Sequence, residues 1–129
     1  MVTADRREAA RQEADRRETA RVVAERVADP ELPMLTLADL GILRAVEEGE
    51  DGRVVVTVTP TYSGCPAMGT IRADLATSLR AAGFAEVEVR TRLSPPWTTD
   101  WITETGRRKL AEAGIAPPGP APVRGEGPV

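Results

Sequence analysis

The residue with the greatest potential for chemistry is Cys65, the only cysteine in the chain. A cysteine thiolate can act as a nucleophile or bind a metal ion. The sequence contains no histidine, so Ser-His-Asp and Cys-His catalytic groups, and a zinc site of four cysteine and histidine ligands, are excluded within the chain. A single cysteine also excludes an internal disulfide, and we therefore expect a cytoplasmic protein.

Cys65 lies in the segment Thr61-Tyr62-Ser63-Gly64-Cys65-Pro66, which we call the cysteine loop. A proline suits the first position of a helix because it has no N–H to leave unpaired. We therefore predict that Cys65 is the N-cap of a helix, where the helix dipole favours a thiolate. Gly64 allows a backbone to approach a ligand closely, which favours a functional role over a cysteine that only packs.

The chain begins with a charged helical segment. Residues 1–15 have almost nothing apolar to bury, so we expect a frayed or disordered arm there. Bulky apolar residues come later and predict an ordered helix from about Arg16 to Ala28. Asp29-Pro30 ends this helix, because proline disfavours helical geometry in the residue before it, and an irregular stretch is expected to follow.

A β-hairpin and a helix surround the cysteine loop. Residues 42–47 and 53–59 are separated by a turn rich in glycine and acidic residues, and the second run is β-branched with a period of two, which predicts a hairpin. After the loop, apolar side chains at three- and four-residue spacing predict an amphipathic helix. Gly83 suits the left-handed position that ends it.

The remaining elements complete one domain. Residues 86–93 alternate charged side chains with Val87, Val89, Thr91 and Leu93, which predicts a half-exposed strand parallel to the second hairpin strand. A last helix is predicted over about residues 99–113. The expected fold is an α/β (α+β) domain over residues 16–115, in the order helix, strand, strand, helix, strand, helix, with the helices on a mixed sheet of about three strands.

Composition narrows the class of partner. A net charge of −3 provides no basic field for nucleic acid, and no apolar run is long enough to cross a bilayer. Neither a nucleic acid nor a membrane is therefore an expected partner. Residues 116–129 are rich in proline and glycine and are interpreted as a tail or linker.

Four motifs occur in a characteristic order, namely Asp-Pro-Glu-Leu-Pro at 29–33, Asp-Leu-Gly at 39–41, the run 59–67 around Cys65, and Ser-Pro-Pro-Trp-Thr-Thr-Asp-Trp-Ile at 94–102. They resemble the subfamily of phenylacetyl-CoA epoxidase assembly subunits. This subfamily lies within a wider family of small α/β domains that help insert iron-sulfur clusters into target proteins. Members of the subfamily carry a cysteine-rich, zinc-ribbon-like extension after the linker, which this sequence does not contain.

The resemblance implies that Cys65 is the functional thiol, near the acidic loop residues Asp29, Glu31 and Asp39. Two of these acids have a structural alternative that follows from the residues alone. Asp29 can form an Asx turn before the proline, and Asp39 can stabilise the bend at the following glycine. Glu31 has no obvious role in a turn.

Other residues complete the candidate site. Thr61, Ser63, Gly64 and Pro66 of the cysteine loop are expected to shape the surroundings of the thiol. Two tryptophans beside a proline-rich loop are candidates for partner binding, because aromatic residues often anchor interfaces. Trp101 is equally suited to the core, at helical spacing with Thr105 and Arg108, so Trp97 is the better candidate.

The leading hypothesis is a non-catalytic maturation factor for the phenylacetyl-CoA epoxidase system of aerobic phenylacetate degradation, with oxygenase or reductase subunits as partners. One sulfur cannot hold an iron-sulfur cluster, which ordinarily takes four cysteine ligands. Cys65 would therefore give one ligand to a transient cluster that is completed by a client, by a second copy in a homodimer, or by a cysteine-rich extension. The alternatives are a thiol-dependent enzyme that uses Cys65 and a metal-free scaffold subunit.

Overall fold

The computed structural model describes residues 2–49, 51–61 and 66–115. Its helices are α1 (Val2–Glu25), α2 (Leu37–Leu40), α3 (Met68–Ala81) and α4 (Glu104–Glu112), with a short 3-10 helix at Thr99–Trp101, and its strands are β1 (Leu43–Glu48), β2 (Val54–Val58) and β3 (Val87–Thr91). The predicted α+β class and order of elements are confirmed, with α2 and the 3-10 helix added. No helix among the described residues is long and apolar enough to cross a membrane.

The sheet has the predicted mixed topology, in the order β1-β2-β3. β1 and β2 pair antiparallel as a hairpin, with Val46 opposite Val56. β2 and β3 pair parallel, with Val56 opposite Val89. The strand-helix-strand unit around α3 therefore has the parallel arrangement that the sequence predicts.

The core lies between the sheet and two helices. Val54, Val56 and Val58 are buried on one face of β2 and share a core with α1, which packs against β1, and with α3, which packs against β3. The period of two in β2 and the three- and four-residue spacing in α3 direct these side chains to a common interior. The other large side chains of this core are Leu35, Leu37, Leu40, Ile42, Ile71, Leu75, Leu79, Phe84, Ile102 and Leu110.

Helix α1 differs from its prediction at both ends. It begins at Val2 instead of Arg16, and it ends at Glu25 instead of Ala28, because Ala28 forms an isolated bridge with Thr36 and is extended. Arg16, the predicted first residue of this helix, does contact the rest of the fold. Its guanidinium lies 3.2 Å from Glu48 and 5.1 Å from the centre of the Phe84 ring. The fraying of residues 1–15 stays a prediction, as does the linker role of residues 116–129, which lie outside the described residues.

Helix α3 begins two residues later than predicted. Ala67 is its N-cap residue and its carbonyl accepts a bond from the N–H of Ile71 at 3.0 Å, so the assignment of Cys65 as N-cap and Pro66 as first helical residue is wrong. The predicted C-terminal end is confirmed. Gly83 has a φ of 104°, and the N–H of Phe84 donates to the carbonyl of Leu79 at 3.1 Å.

The last predicted helix is divided in two. Ile102 and Thr103 are extended between the 3-10 helix and α4. The hydroxyl of Thr103 accepts a bond from the N–H of Gly106 at 3.0 Å, and so caps a new helix where continuation was predicted. Trp101 therefore does not share a helical face with residues of α4. The strand β3 also stops at Thr91, which leaves Leu93 outside it and exposed.

Candidate functional site

Four residues of the predicted site line a single cavity of about 490 Å³. They are Asp29, Glu31, Thr61 and Trp97, which come from three separate parts of the sequence. The rest of the described lining is mostly apolar and consists of Leu32, Leu40, Thr99, Ile102, Leu110 and Ile115. A cavity of about 570 Å³ between α1 and the β1–β2 turn is polar and contains none of the predicted residues.

Asp29 is held rigidly at the wall of this cavity. It is buried, and its Oδ2 accepts bonds from the N–H groups of Glu31 at 3.0 Å and Leu32 at 2.8 Å. This is the Asx turn that the proline motif suggested. Asp29 thus combines a structural turn with a place in the lining of the cavity.

Glu31 differs from Asp29 because it is exposed. The Asx turn fixes its backbone and leaves its carboxylate in solvent. Asp29 and Glu31 are the only charged residues among the described lining of the cavity. The wall is therefore anionic, which favours a cation over an anion as its occupant.

Trp97 is half-buried and joins the cavity to the core. Its indole Nε1–H donates to the carbonyl of Leu40 at 2.7 Å, and its ring packs against the buried apolar cluster. The polar end of the ring is therefore fixed inside the fold, while other atoms of the side chain line the cavity. This geometry is compatible with the predicted role in partner binding, which stays a prediction.

Asp39 does not line the cavity. It is buried at the contact between α2 and α4, where its Oδ2 accepts from the N–H of Thr36 at 3.0 Å and from Lys109 Nζ at 2.7 Å. Burial is the largest single influence on the pKa of Asp39 and by itself raises it, but the bond and charge of Lys109 and the bonds with Thr36 outweigh burial and lower the pKa. These contacts give Asp39 a structural role.

Trp101 also lies outside the described lining. Its half-buried ring is covered by the guanidinium of Arg44 at 3.9 Å from the ring centre. Its backbone packs against Gly41, where a Cβ atom would come within 2.5 Å of the Trp101 carbonyl oxygen. Gly41 has a φ of 75°, so the Asp-Leu-Gly motif serves both a left-handed turn and a close approach.

The central part of the cysteine loop, with Ser63, Gly64 and Cys65, lies outside the described residues. Thr61 lines the cavity at one end of the loop, and Pro66 is exposed at the other. Just before the loop, the hydroxyl of Thr59 is buried and has no hydrogen-bond partner in the described part of the chain. Buried polar groups are normally paired, so this hydroxyl is a notable feature at the base of the loop.

Several residues that form the cavity or support it could not be identified from the sequence. Ile102, Leu110 and Ile115 form the apolar side of the cavity, but their spacing indicates only an amphipathic helix. Lys109 is the only lysine in the chain, which was the one available signal for its pairing with Asp39. Among the described residues no group of three or more acidic, histidine or cysteine side chains could hold a metal ion.

Comparison with known proteins gives a consistent result. Residues 17–90 match the family described as iron-sulfur cluster assembly protein. A protein of Escherichia coli strain K12, provisionally named as one of the subunits of 1,2-phenylacetyl-CoA epoxidase, is 44% identical over 93 residues, which cover 72% of this chain and 56% of that protein. The chain thus spans little more than half the length of that relative.

Two further similarities concern a relative and a solved structure. An Fe-S protein maturation auxiliary factor of Porphyromonas gingivalis strain W83 is 34% identical over 85 residues, which cover 65% of this chain and 80% of that protein. The crystal structure of a domain of unknown function, DUF59, from Bacillus anthracis has a TM-score of 0.70 at 28% identity, covering 79% of this chain and 97% of that one. This structure has the same fold. Trp97 and Trp101 lie beyond residues 17–90 and so outside the family match.

Proposed function

Because this chain belongs to the family of iron-sulfur cluster assembly proteins, we propose that it assists cluster loading of an iron-sulfur protein in the phenylacetyl-CoA epoxidase system. It is an accessory protein of cluster assembly, as the names of its relatives indicate, and not an enzyme. The epoxidase system is suggested by the E. coli relative and by the two-tryptophan motif.

One observation carries this proposal. Asp29, Glu31, Thr61 and Trp97 come from three separate parts of the sequence, yet they line one cavity at the start of the cysteine loop. Asp29 and Glu31 lie in the first motif of the sequence, Thr61 in the cysteine motif and Trp97 in the last. A purely structural role for each motif would not require them to share a cavity.

The charge of this cavity favours metal handling over thiol catalysis. The described lining contains two carboxylates and no cation. Neighbouring carboxylates disfavour a free thiolate, which a thiol-dependent enzyme needs, whereas they stabilise a bound cation such as iron. This balance is our reason for preferring a cluster-handling role for Cys65 over nucleophilic catalysis.

Cys65 acts in this proposal as one ligand at an interface. The cluster is cargo, and the remaining ligands come from the client or another assembly protein, because four cysteines ordinarily hold a cluster. Trp97 is the proposed contact for the client, since its N–H is already used by Leu40 and its remaining ring surface lies at the cavity. Asp29 and Glu31 would attract iron during transfer.

The test is cluster loading of the purified reductase component of the system. Apo-reductase is incubated with iron, sulfide and the full chain, and the absorbance and iron content of the re-isolated reductase are measured. We expect Cys65→Ser to abolish the acceleration of loading. Thr77→Ala, an exposed substitution on α3, is the matched control and should load like the wild type.

Two results would contradict the proposal. Full loading with Cys65→Ser would favour a metal-free scaffold, since the thiol would then be dispensable. Loading of several unrelated apo-proteins at the same rate as the reductase would remove the link to the epoxidase system and leave a general assembly factor.

A further inference from the structure

Strand β3 forms an open edge of the sheet. Its even-numbered residues face β2, because Glu86 accepts from the N–H of Val54 at 2.9 Å and Arg92 donates to Val58 at 2.8 Å. In a parallel ladder the alternate residues Val87, Val89 and Thr91 therefore direct their N–H and C=O groups away from β2. No described strand pairs with this edge.

The sequence along this edge is self-complementary in charge. It reads Glu-Val-Glu-Val-Arg-Thr-Arg from Glu86 to Arg92, with Val89 at its centre. In an antiparallel pair centred on Val89, Glu86 lies opposite Arg92 of the second copy and Glu88 lies opposite Arg90. Parallel pairing in register would instead place like charges opposite each other, which is unfavourable.

We propose that this edge is an interaction surface for a second copy of the chain, which joins two three-stranded sheets through antiparallel β3 strands. The outward-facing backbone groups of Val87, Val89 and Thr91 would form about six inter-strand hydrogen bonds, two at each of three residue pairs. The charged residues occupy the non-hydrogen-bonded positions, where side chains approach most closely. The charge pattern thus favours a second copy of the chain as the partner and an antiparallel orientation of the two β3 strands.

The pattern also selects one register. Moving the centre of the pair to Val87 places Glu86 opposite Glu88, and moving it to Thr91 places Arg90 opposite Arg92. Only the centre at Val89 gives opposite charges throughout. It also places Leu93, a large apolar residue that is 56% exposed, opposite Ala85 of the second copy.

In the single chain, Arg72 of α3 covers part of this edge. Its guanidinium donates to the outward-facing carbonyl of Val89 at 2.8 Å and to the hydroxyl of Thr91. A second strand needs the same carbonyl, so Arg72 competes with association. Long cationic side chains over an open edge are a common protection against uncontrolled strand pairing.

This association differs from a dimer held by a cluster. β2 and β3 are parallel, and both lead at their C-terminal ends toward the cavity, through Thr61 and Trp97 respectively. Antiparallel pairing of the two β3 strands places those ends on opposite sides of the joint. The assembly would present two separate sites, and it would not need Cys65.

The test uses two charge variants of the full chain, in analytical ultracentrifugation from micromolar to millimolar concentration. E86R/E88R makes the edge wholly basic and R90E/R92E makes it wholly acidic. Each alone should weaken self-association by at least about tenfold, because four cross-strand pairs become repulsive. An equimolar mixture should restore association as a heterodimer. E8R/E13R, which changes exposed residues of α1 by the same charge, should associate like the wild type.

Further variants distinguish association through the β3 edge from association through a cluster at Cys65. R72A should strengthen association several-fold, because it frees the Val89 carbonyl, and C65S with an iron chelator should leave association unchanged. A monomeric wild type at millimolar concentration, a mixture that stays monomeric while both variants retain native circular dichroism, or loss of the dimer in C65S would each overturn the proposal.

Discussion

Lys109 Nζ lies 2.7 Å from Asp39 Oδ2 and connects α4 to α2 across 70 positions of the sequence. The Asp39 side chain is only 11% exposed, so the lysine neutralises a carboxylate that water barely reaches. The backbone carbonyl of Asp39 also accepts from the N–H of Thr103 at 2.9 Å. The acidic residue of the Asp-Leu-Gly motif therefore fixes the helix that forms one wall of the cavity.

Lys109→Met should destabilise the fold, because it removes the charge partner and leaves the Asp39 carboxylate buried. We expect the free energy of unfolding to fall by about 1–2 kcal/mol, less than for a wholly buried pair since the lysine is partly exposed. Urea unfolding measures this. Arg108→Met, whose partner Glu112 is exposed, is the matched control and should change stability by less than about 0.5 kcal/mol.

Asp39 should make stability depend on pH. Its pKa is lowered in the folded chain, so the unfolded chain binds a proton more readily and stability rises with pH. The contribution is complete above the ordinary aspartate pKa of about 3.9 and is lost as pH falls through the lower folded value. Urea unfolding from about pH 7 to about pH 3 should show a smaller acid loss in Asp39→Asn than in the wild type. An equal loss in both would assign the acid sensitivity to other carboxylates.

Local elements were predictable from the sequence because their signals are local. The alternation in β2 and the stripe of α3 each follow from side-chain spacing, and Gly83 ends α3 through a left-handed conformation that few other residues adopt. The sequence did not predict that the last helix is divided at Thr103, because a threonine can either continue a helix or cap a new one. The burial of Ile102, which favours the second conformation, arises only in the folded chain.

The site was only partly predictable, because its assembly depends on distant contacts. The motifs indicated Asp29, Glu31, Thr61 and Trp97 individually, but their common cavity appears only when the chain folds. Asp39 was grouped with them by resemblance, but it does not line the cavity and pairs with Lys109, while its place relative to the thiol stays a prediction. Such a pairing between distant positions leaves no periodic signal in one sequence.

Gly106 should tolerate no side chain, because α4 approaches the backbone of α2 at this residue. A Cβ atom there would lie 2.6 Å from the Asp39 carbonyl oxygen and 3.0 Å from Ile102 Cγ2. Gly106→Ala should therefore lower the free energy of unfolding by about 1–3 kcal/mol, despite the better helix propensity of alanine. Gly69→Ala in α3 meets nothing within 4 Å and should leave stability unchanged or raise it by about 0.5 kcal/mol. Equal effects would mean that α4 does not pack this closely.

Thr59 offers a test that separates stability from function at the base of the cysteine loop. Its buried hydroxyl has no partner in the described part of the chain, and an unpaired buried hydroxyl costs about 1–3 kcal/mol. Thr59→Val keeps the shape of the side chain, so we expect the free energy of unfolding to rise by about 1 kcal/mol. The adjacent reverse change, Val58→Thr, puts a new hydroxyl into the core and should lower it by about 1–3 kcal/mol.

The functional result of Thr59→Val distinguishes two roles for that hydroxyl. If it bonds the cysteine loop or the client during cluster transfer, the variant should load apo-reductase more slowly although it is more stable, as is common where a site retains an unfavourable group. Wild-type loading by the stabilised variant would show that the hydroxyl has no part in transfer. A loss of stability would show that the hydroxyl is bonded in the folded chain, and slower loading would then follow from damage to the fold.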